Sequence, residues 1–216
     1  MAFSKSHLIG LVAAVAILLA AGKMIRTCKP VESDIDVENI GGPGGIAAKY
    51  IHEFLGPGKR VALIFFDESA ASIYGKDQYV LEEQLKRYKY RILGKKEISA
   101  GPLFSNPQAA YTGTLPIAEY LQFASEHAGA DAIISFVGPP VIPEEEEVPE
   151  AAGPPLLIAS PIAHQATWEL LESGFVAMAI LPRQEDEDED ELPETGYADP
   201  YEAQYEMVTS ETAGDM

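Results

Sequence analysis

Blocks of apolar residues alternate with mixed blocks through the middle of the chain, and both kinds have the lengths of strands and helices. Runs that are apolar at nearly every position are typical of parallel strands buried on both faces, and they occupy residues 61–66, 132–137, 156–159 and 175–181. A more polar strand is predicted at 91–98. Apolar residues recurring every three or four positions predict helices at 46–55, 76–90, 115–128 and 160–174. This alternation predicts an α/β fold: a single open three-layer domain with a mostly parallel sheet of about five strands.

Residues 1–29 contain an apolar run, 8–22, that carries no charge and predicts contact with a membrane. At 1.5 Å per residue the run is about 22 Å long as a helix, which is short of the ~30 Å hydrocarbon core. Its basic flanking residues are Lys5, Lys23, Arg26 and Lys29. The short run fits a cleaved signal peptide, whereas the basic cluster after it fits a retained anchor. The expected location is therefore the cell membrane, with a single pass, or an exported or periplasmic state.

The remaining segments differ sharply in composition. Residues 30–45 are polar and end in a glycine-rich stretch, which predicts a flexible tether to the domain at 46–183. Within that domain, residues 138–155 are rich in proline and glutamate and predict a loop where a crossover helix is expected. Residues 184–216 contain many acids and no lysine or arginine, so we expect a disordered acidic tail.

Charge and cysteine content exclude several classes of function. The net charge is −19, from 34 acidic and 15 basic residues, so the clustered cations that bind nucleic acid are not expected. A single cysteine, Cys28, excludes an intrachain disulfide and a thiolate metal cluster. The four histidines lack the spacing of a metal site. The glycines of 41–45 follow no predicted strand and lack the Gly-Lys-Ser/Thr ending of a phosphate loop. No metal or cofactor is predicted.

Candidate site residues follow from the predicted sheet, because ligands of open α/β domains bind beyond the carboxyl ends of the strands. The loops at those ends begin at Asp67, Gly138, Ser160 and Pro182. Asp67 to Ser69 offers two carboxylates and a hydroxyl after the most buried strand. Ser160 precedes a proline, which is typical of a helix N-cap, and no Gly-x-Ser-x-Gly elbow surrounds it. No catalytic residue is predicted.

A family resemblance is carried by three segments. Val61-Ala62-Leu63-Ile64-x-x-Asp67-x-Ser69, followed by Tyr74-Gly75-Lys76, resembles the start of one lobe in type 1 periplasmic-binding proteins. Segments 129–134 and 155–160 are similar to later steps of the same lobe, so the resemblance covers residues 59–183. It implies a Rossmann-like α/β fold and ligand contacts in the loop after the first strand. The candidate ligand-binding residues are Asp67, Ser69, Tyr74 and Ser160.

Three hypotheses for function remain open on the sequence. The first is a membrane-anchored or exported, non-enzymatic binding domain whose expected partner is a protein. The second is a small-molecule sensor or binding half-site that a homodimer completes, since the sequence holds only one lobe of the resembled kind. The third is a hydrolase that uses Asp67 or Ser160.

Overall fold

A computed structural model describes residues 42–68, 71–100, 115–143, 146–149, 153–160, 166–183 and 204–213. These ranges belong to one compact unit, Val37–Met216. The predicted signal or anchor, most of the predicted tether and Ser69 lie outside the described residues. No helix within these ranges combines the length and the apolar character that crossing a bilayer requires.

Six strands form the main sheet: β1 (Arg60–Phe66), β2 (Arg91–Ile98), β4 (Ala132–Ser135), β6 (Leu156–Ile158), β7 (Val176–Pro182) and β8 (Tyr205–Thr209). Their order across the sheet is β2-β1-β4-β6-β7-β8, and all neighbours are parallel except β7 and β8. Two further short strands, β3 (Leu115–Pro116) and β5 (Pro140–Val141), pair in parallel with each other. The predicted α/β class with a mostly parallel sheet is confirmed.

Helices lie on both faces of this sheet. They are α1 (Pro43–Leu55), α2 (Ala71–Arg87), α3 (Ile117–Glu126), α4 (Ala166–Glu172) and α5 (Ser210–Ala213). Lys95 and Lys96 are consecutive in β2 and therefore point to opposite faces. Lys95 pairs with Glu82 of α2, and the Lys96 Nζ lies 2.9 Å from Glu119 Oε2 of α3. Consequently α2 and α3 cover opposite faces.

Burial on both faces of the sheet explains why three strands are apolar at nearly every position. Every residue of β4 and β6 is buried, as is every residue of β1 after Arg60. These strands have a neighbour on each side and helices above and below, so neither face meets water. By contrast, β2 is an edge strand and is buried fully only at Ile98, which accounts for its polar sequence.

The glycine-rich stretch is part of the first helix. α1 begins at Pro43, and Gly44 and Gly45 are buried within it. A Cβ atom on Gly44 would overlap the backbone carbonyl of Asp77 in α2. Glycine therefore allows the two helices to touch backbone to backbone. The predicted tether over 30–45 is wrong for residues 43–45, because local composition does not reveal a close helix–helix approach.

A carboxylate from α2 lies at the amino-terminal end of α1. The Gly44 N–H donates a hydrogen bond to Asp77, so this side chain takes the position in which helix N-termini bind anions. Burial raises the pKa of Asp77, while the Gly44 hydrogen bond and the charge of Lys76 lower it less strongly.

This raised pKa gives a pH-dependent prediction. A carboxyl whose pKa is higher in the folded state adds stability that is complete below its ordinary pKa and is lost as pH rises through the raised value. We therefore expect Asp77→Asn to gain stability relative to wild type on going from about pH 3 to pH 7. Asp131 is the matched control, because hydrogen bonds from Arg60 lower its pKa and give Asp131→Asn the opposite trend. Urea denaturation at both pH values measures both trends; the same trend in both variants would contradict the assignment.

The end of the chain adds a strand that the sequence does not predict. β8 pairs antiparallel with β7 from Pro182↔Tyr205 to Met178↔Thr209, and Val208 and Ala213 are buried. The prediction of a disordered tail over 184–216 is therefore wrong for residues 205–213. β8 has only five residues and one fully buried side chain, so it is stabilised mainly by its pairing with β7. The composition of the segment does not predict that pairing.

The loop predicted at 138–155 contains β5 at its start. Beyond β5, its described residues, 142–143, 146–149 and 153–155, have no helix or strand. The prediction of about five strands is one fewer than the six observed, because the segment of β8 lies in the predicted acidic tail.

Candidate functional site

Two candidate residues lie at the carboxyl edge of the sheet. Asp67 directly follows β1, and its N–H donates to the Ile98 carbonyl of β2 at 2.9 Å. Ser160 is buried two residues beyond β6. β4 separates β1 from β6, so with a strand spacing of ~4.8 Å the two residues are about 10 Å apart across the edge. The predicted edge is correct, but the two side chains belong to strands that are not neighbours.

Tyr74 lies in the first turn of α2 and packs on the end of β1. Its ring stacks on Phe66, with centroids 5.0 Å apart and planes inclined by 24°. Phe136, which follows β4, meets the Tyr74 ring edge to face at 6.5 Å and also contacts Phe65 at 6.0 Å. Tyr74 is half-buried, and this burial raises the pKa of its hydroxyl. An aromatic surface therefore lies at the end of β1, and Asp67 is the residue that follows this strand.

Gln78 fixes the end of β1 in place. The Phe66 N–H donates to Gln78 Oε1 at 2.6 Å, and Gln78 Nε2 donates to the Phe66 carbonyl at 3.3 Å. The chain leaves the sheet after β4, where the Phe136 N–H bonds the Ile64 carbonyl. The buried amide of Gln78 thus replaces the next strand as partner of Phe66. Gln78 is not among the residues predicted from the sequence, although its position one turn after Tyr74 places both on one face of α2.

Replacing Gln78 by leucine is expected to lower the free energy of unfolding by about 2 kcal/mol, because two buried backbone groups lose their partners. Gln122→Leu is the matched control, since Gln122 is exposed on α3 and bonds only Glu126 among the described residues. Urea denaturation measures both changes. Equal losses in the two variants would show that Gln78 does not support β1.

A tight turn follows β4 at the same edge. The Ser135 hydroxyl donates to the Gly138 carbonyl, and Gly138 has φ 98°, a conformation that favours glycine. The Ser135 carbonyl accepts from the Ala159 N–H at 2.8 Å, which ties this turn to the end of β6. The turn therefore positions Phe136 against Tyr74 and holds the strand that precedes Ser160.

A cavity of about 160 Å³ lies at the opposite, amino edge of the sheet. It is lined by Tyr120, Gly153, Pro154, Pro155, Gly174, Phe175 and Ala177. Tyr120 and Phe175 meet edge to face at 5.5 Å, and burial raises the pKa of Tyr120 to about 12, so its hydroxyl stays neutral. None of the predicted site residues contributes to this cavity.

The histidines of the described residues lie away from the carboxyl edge. His52 is near the end of α1 and stacks on Tyr88 at 4.1 Å. His127 follows α3 and packs on Phe123 at 4.3 Å. Both precede strands and so lie at the amino edge, opposite Ser160. Among the described residues no group of three or more His, Cys, Asp or Glu side chains is arranged to hold a metal.

Comparisons with known proteins give structural likeness at low sequence identity. No family model and no curated protein matches the chain. An arabinose-binding protein from Geobacillus stearothermophilus is 14% identical with a TM-score of 0.47, over 82% of this chain and 63% of that one. A sugar-binding protein of a transporter from Bacillus halodurans is 14% identical with a TM-score of 0.46, over 81% and 63%.

A solute-binding protein from Burkholderia graminis, solved with D-arabinose, is 13% identical with a TM-score of 0.46. That match covers 64% of this chain and 46% of the other. The chain thus spans between about half and two thirds of the length of these proteins. All three are sugar- or solute-binding proteins.

Proposed function

We propose that this domain is a non-enzymatic binding protein that holds a small polyhydroxylated ring, such as a monosaccharide, at the carboxyl edge of its sheet. The observation that carries the proposal is the half-buried Tyr74 ring, stacked on Phe66 at the end of β1, which Asp67 directly follows in the chain. Such a domain, exported or tethered through residues 8–22, meets its ligand outside the cytoplasm.

The chemistry of these groups suits such a ligand. An aromatic face packs against the C–H groups of a saturated ring, and a few polar groups then fix the orientation of the ligand. An ionised carboxylate accepts strong hydrogen bonds from hydroxyl groups. Asp67 supplies the carboxylate, and Gln78 and the turn after β4 hold the aromatic surface rigid.

A binding role needs no proton transfer, and the geometry offers little support for one. Ser160 is buried at the carboxyl edge, whereas His52 and His127 lie at the other edge of the sheet. The general base of a serine hydrolase must be within hydrogen-bond reach of its nucleophile. Neither of these two histidines meets that requirement, and His164, four residues after Ser160, lies outside the described residues.

A protein partner is the second candidate, and the observation that favours it is Ile73. This side chain is 55% exposed in the first turn of α2, directly before Tyr74. An exposed isoleucine beside the proposed site gives a second copy, or another protein, an apolar contact with which to close the open side of the site. Loss of a partner on Ile73→Ser, with sugar binding unchanged, is the result expected for this role.

Calorimetric titration of the full chain in a neutral detergent tests the proposal. The probes are D-arabinose, D-ribose, D-xylose, D-glucose and D-galactose. We expect saturable binding of at least one sugar, weakened at least about tenfold, or 1.4 kcal/mol, by Tyr74→Ala and by Asp67→Asn. Tyr79→Ala is the matched control, because Tyr79 is exposed on the same helix. No saturable binding of any probe, or an equal loss in Tyr79→Ala, would contradict the proposal.

A further inference from the structure

Four cations are gathered at the amino edge of the sheet, where β1 and β2 begin. We name Lys59, Arg60, Lys89 and Arg91 the basic cluster. The Arg91 N–H donates to the Lys59 carbonyl at 2.8 Å, and Arg60 and Arg91 are register partners on neighbouring strands. Lys89 stands two residues before Arg91, in a left-handed conformation with φ 64°. The cluster is notable because the chain as a whole carries a net charge of −19.

Asp131 compensates part of the basic cluster, because it pairs with Arg60 and its charge also interacts with Lys59. Arg60 is paired with Asp131, its Nη2 lying 3.3 Å from Oδ1. Across the described part of the chain, no carboxylate lies within 4 Å of the charged groups of Lys59, Lys89 or Arg91. Like charges directly opposite each other on paired strands are destabilising. An anionic partner would relieve the repulsion between Arg60 and Arg91.

The sequence itself supplies a matching polyanion. Residues 185–191 are seven consecutive acids, and no lysine or arginine follows Arg183. This run is the densest negative charge in the chain, so it is the segment whose charge best complements the basic cluster.

The distance between the acidic run and the basic cluster of the same molecule argues against a contact between them. Pro182 ends β7 and Tyr205 begins β8 opposite it, so the intervening chain leaves and returns at the carboxyl edge. A seven-residue strand spans about 23 Å, and β1 and β2 lie three and four strand spacings from β7. The straight distance from the end of β7 to the starts of β1 and β2 is therefore about 27–30 Å. Fully extended, residue 185 reaches about 7 Å from Arg183 and residue 191 about 28 Å. Most of the run therefore cannot touch its own basic cluster.

We propose that the basic cluster of one copy binds the acidic run 185–191 of a second copy. The contact joins opposite edges of two sheets and is therefore head-to-tail. It does not rest on the proposed function, because the basic cluster and the Tyr74 site lie at opposite edges.

Sedimentation velocity of the full chain in a neutral detergent tests this contact. At about 20 mM salt, where screening is weak, we expect concentration-dependent association that is lost at about 300 mM. The cluster variant carries Lys59→Ser, Lys89→Ser and Arg91→Ser; the run variant carries amides in place of the seven acids. Each variant alone is expected to stay monomeric, and an equimolar mixture is expected to associate, because each supplies the half that the other lacks. Lys76→Ser, an exposed cation on α2, should leave association unchanged.

Three results would overturn the proposal. The first is a monomeric wild type at low salt, or a mixture of the two variants that stays monomeric. The second is wild-type binding to phosphatidylserine vesicles that depends on the basic cluster without self-association, which would assign the cluster to a membrane. The third is failure of a synthetic peptide of residues 184–192 to bind the folded run variant, a measurement that does not depend on how well the cluster variant folds.

Discussion

Replacing Gly44 by alanine is expected to destabilise the domain by about 3 kcal/mol, because the new methyl group collides with backbone and not with a movable side chain. The atom that it meets is the Asp77 carbonyl oxygen inside α2, so α1 and α2 must separate. Alanine also favours helix more than glycine does, by about 1 kcal/mol, and the collision must exceed that gain.

Gly129→Ala is the matched control for this change. A Cβ atom at Gly129 has no heavy atom within 4 Å, so this variant is expected to be as stable as wild type. Urea denaturation followed by circular dichroism measures both variants. If Gly44→Ala were as stable as wild type, α1 would not pack against α2 as described.

Replacing Val208 by aspartate is expected to lower the free energy of unfolding by about 3 kcal/mol or more, since it places a charge in the hydrophobic core. Val208 is 2% exposed and pairs with Ala179 of β7. The same substitution in a disordered tail would have no effect on stability. The stability of Val208→Asp therefore distinguishes a folded end of the chain from the disordered tail that composition alone predicts.

Gln204→Asp is the control for added charge in the same segment. Gln204 is exposed immediately before β8, and only its backbone carbonyl contacts Arg183 among the described residues. We expect this variant to unfold at the same urea concentration as wild type. Equal urea midpoints for Val208→Asp and wild type would show that β8 is not part of the folded domain.

The features that could be predicted from sequence are those that one segment encodes by itself. Strands β1, β4 and β6 are buried on both faces, so their apolar runs are continuous and easily recognised. Their alternation with amphipathic helices implies a parallel sheet and hence the edge at which Asp67 and Ser160 lie.

The features that could not be predicted depend on partners distant in the chain. β8 owes its order to β7, and the start of α1 depends on the backbone of Asp77, 33 positions after Gly44. The role of Gln78 follows from the early end of β4, which leaves Phe66 without a partner on the β4 side of β1. The stack of Tyr74 on Phe66 likewise needs the geometry of α2 against β1. None of these contacts leaves a local periodic signal.

Backbone amide shifts in two-dimensional NMR, followed while each of the five sugars is added to the full chain, test the central claim most directly. We expect the shift changes for a bound sugar to centre on the carboxyl edge, at Phe66, Asp67 and Tyr74. Changes centred on Tyr120 and Phe175, at the amino-edge cavity, would show that the chain binds its ligand elsewhere. The absence of changes with every sugar would contradict the binding function itself.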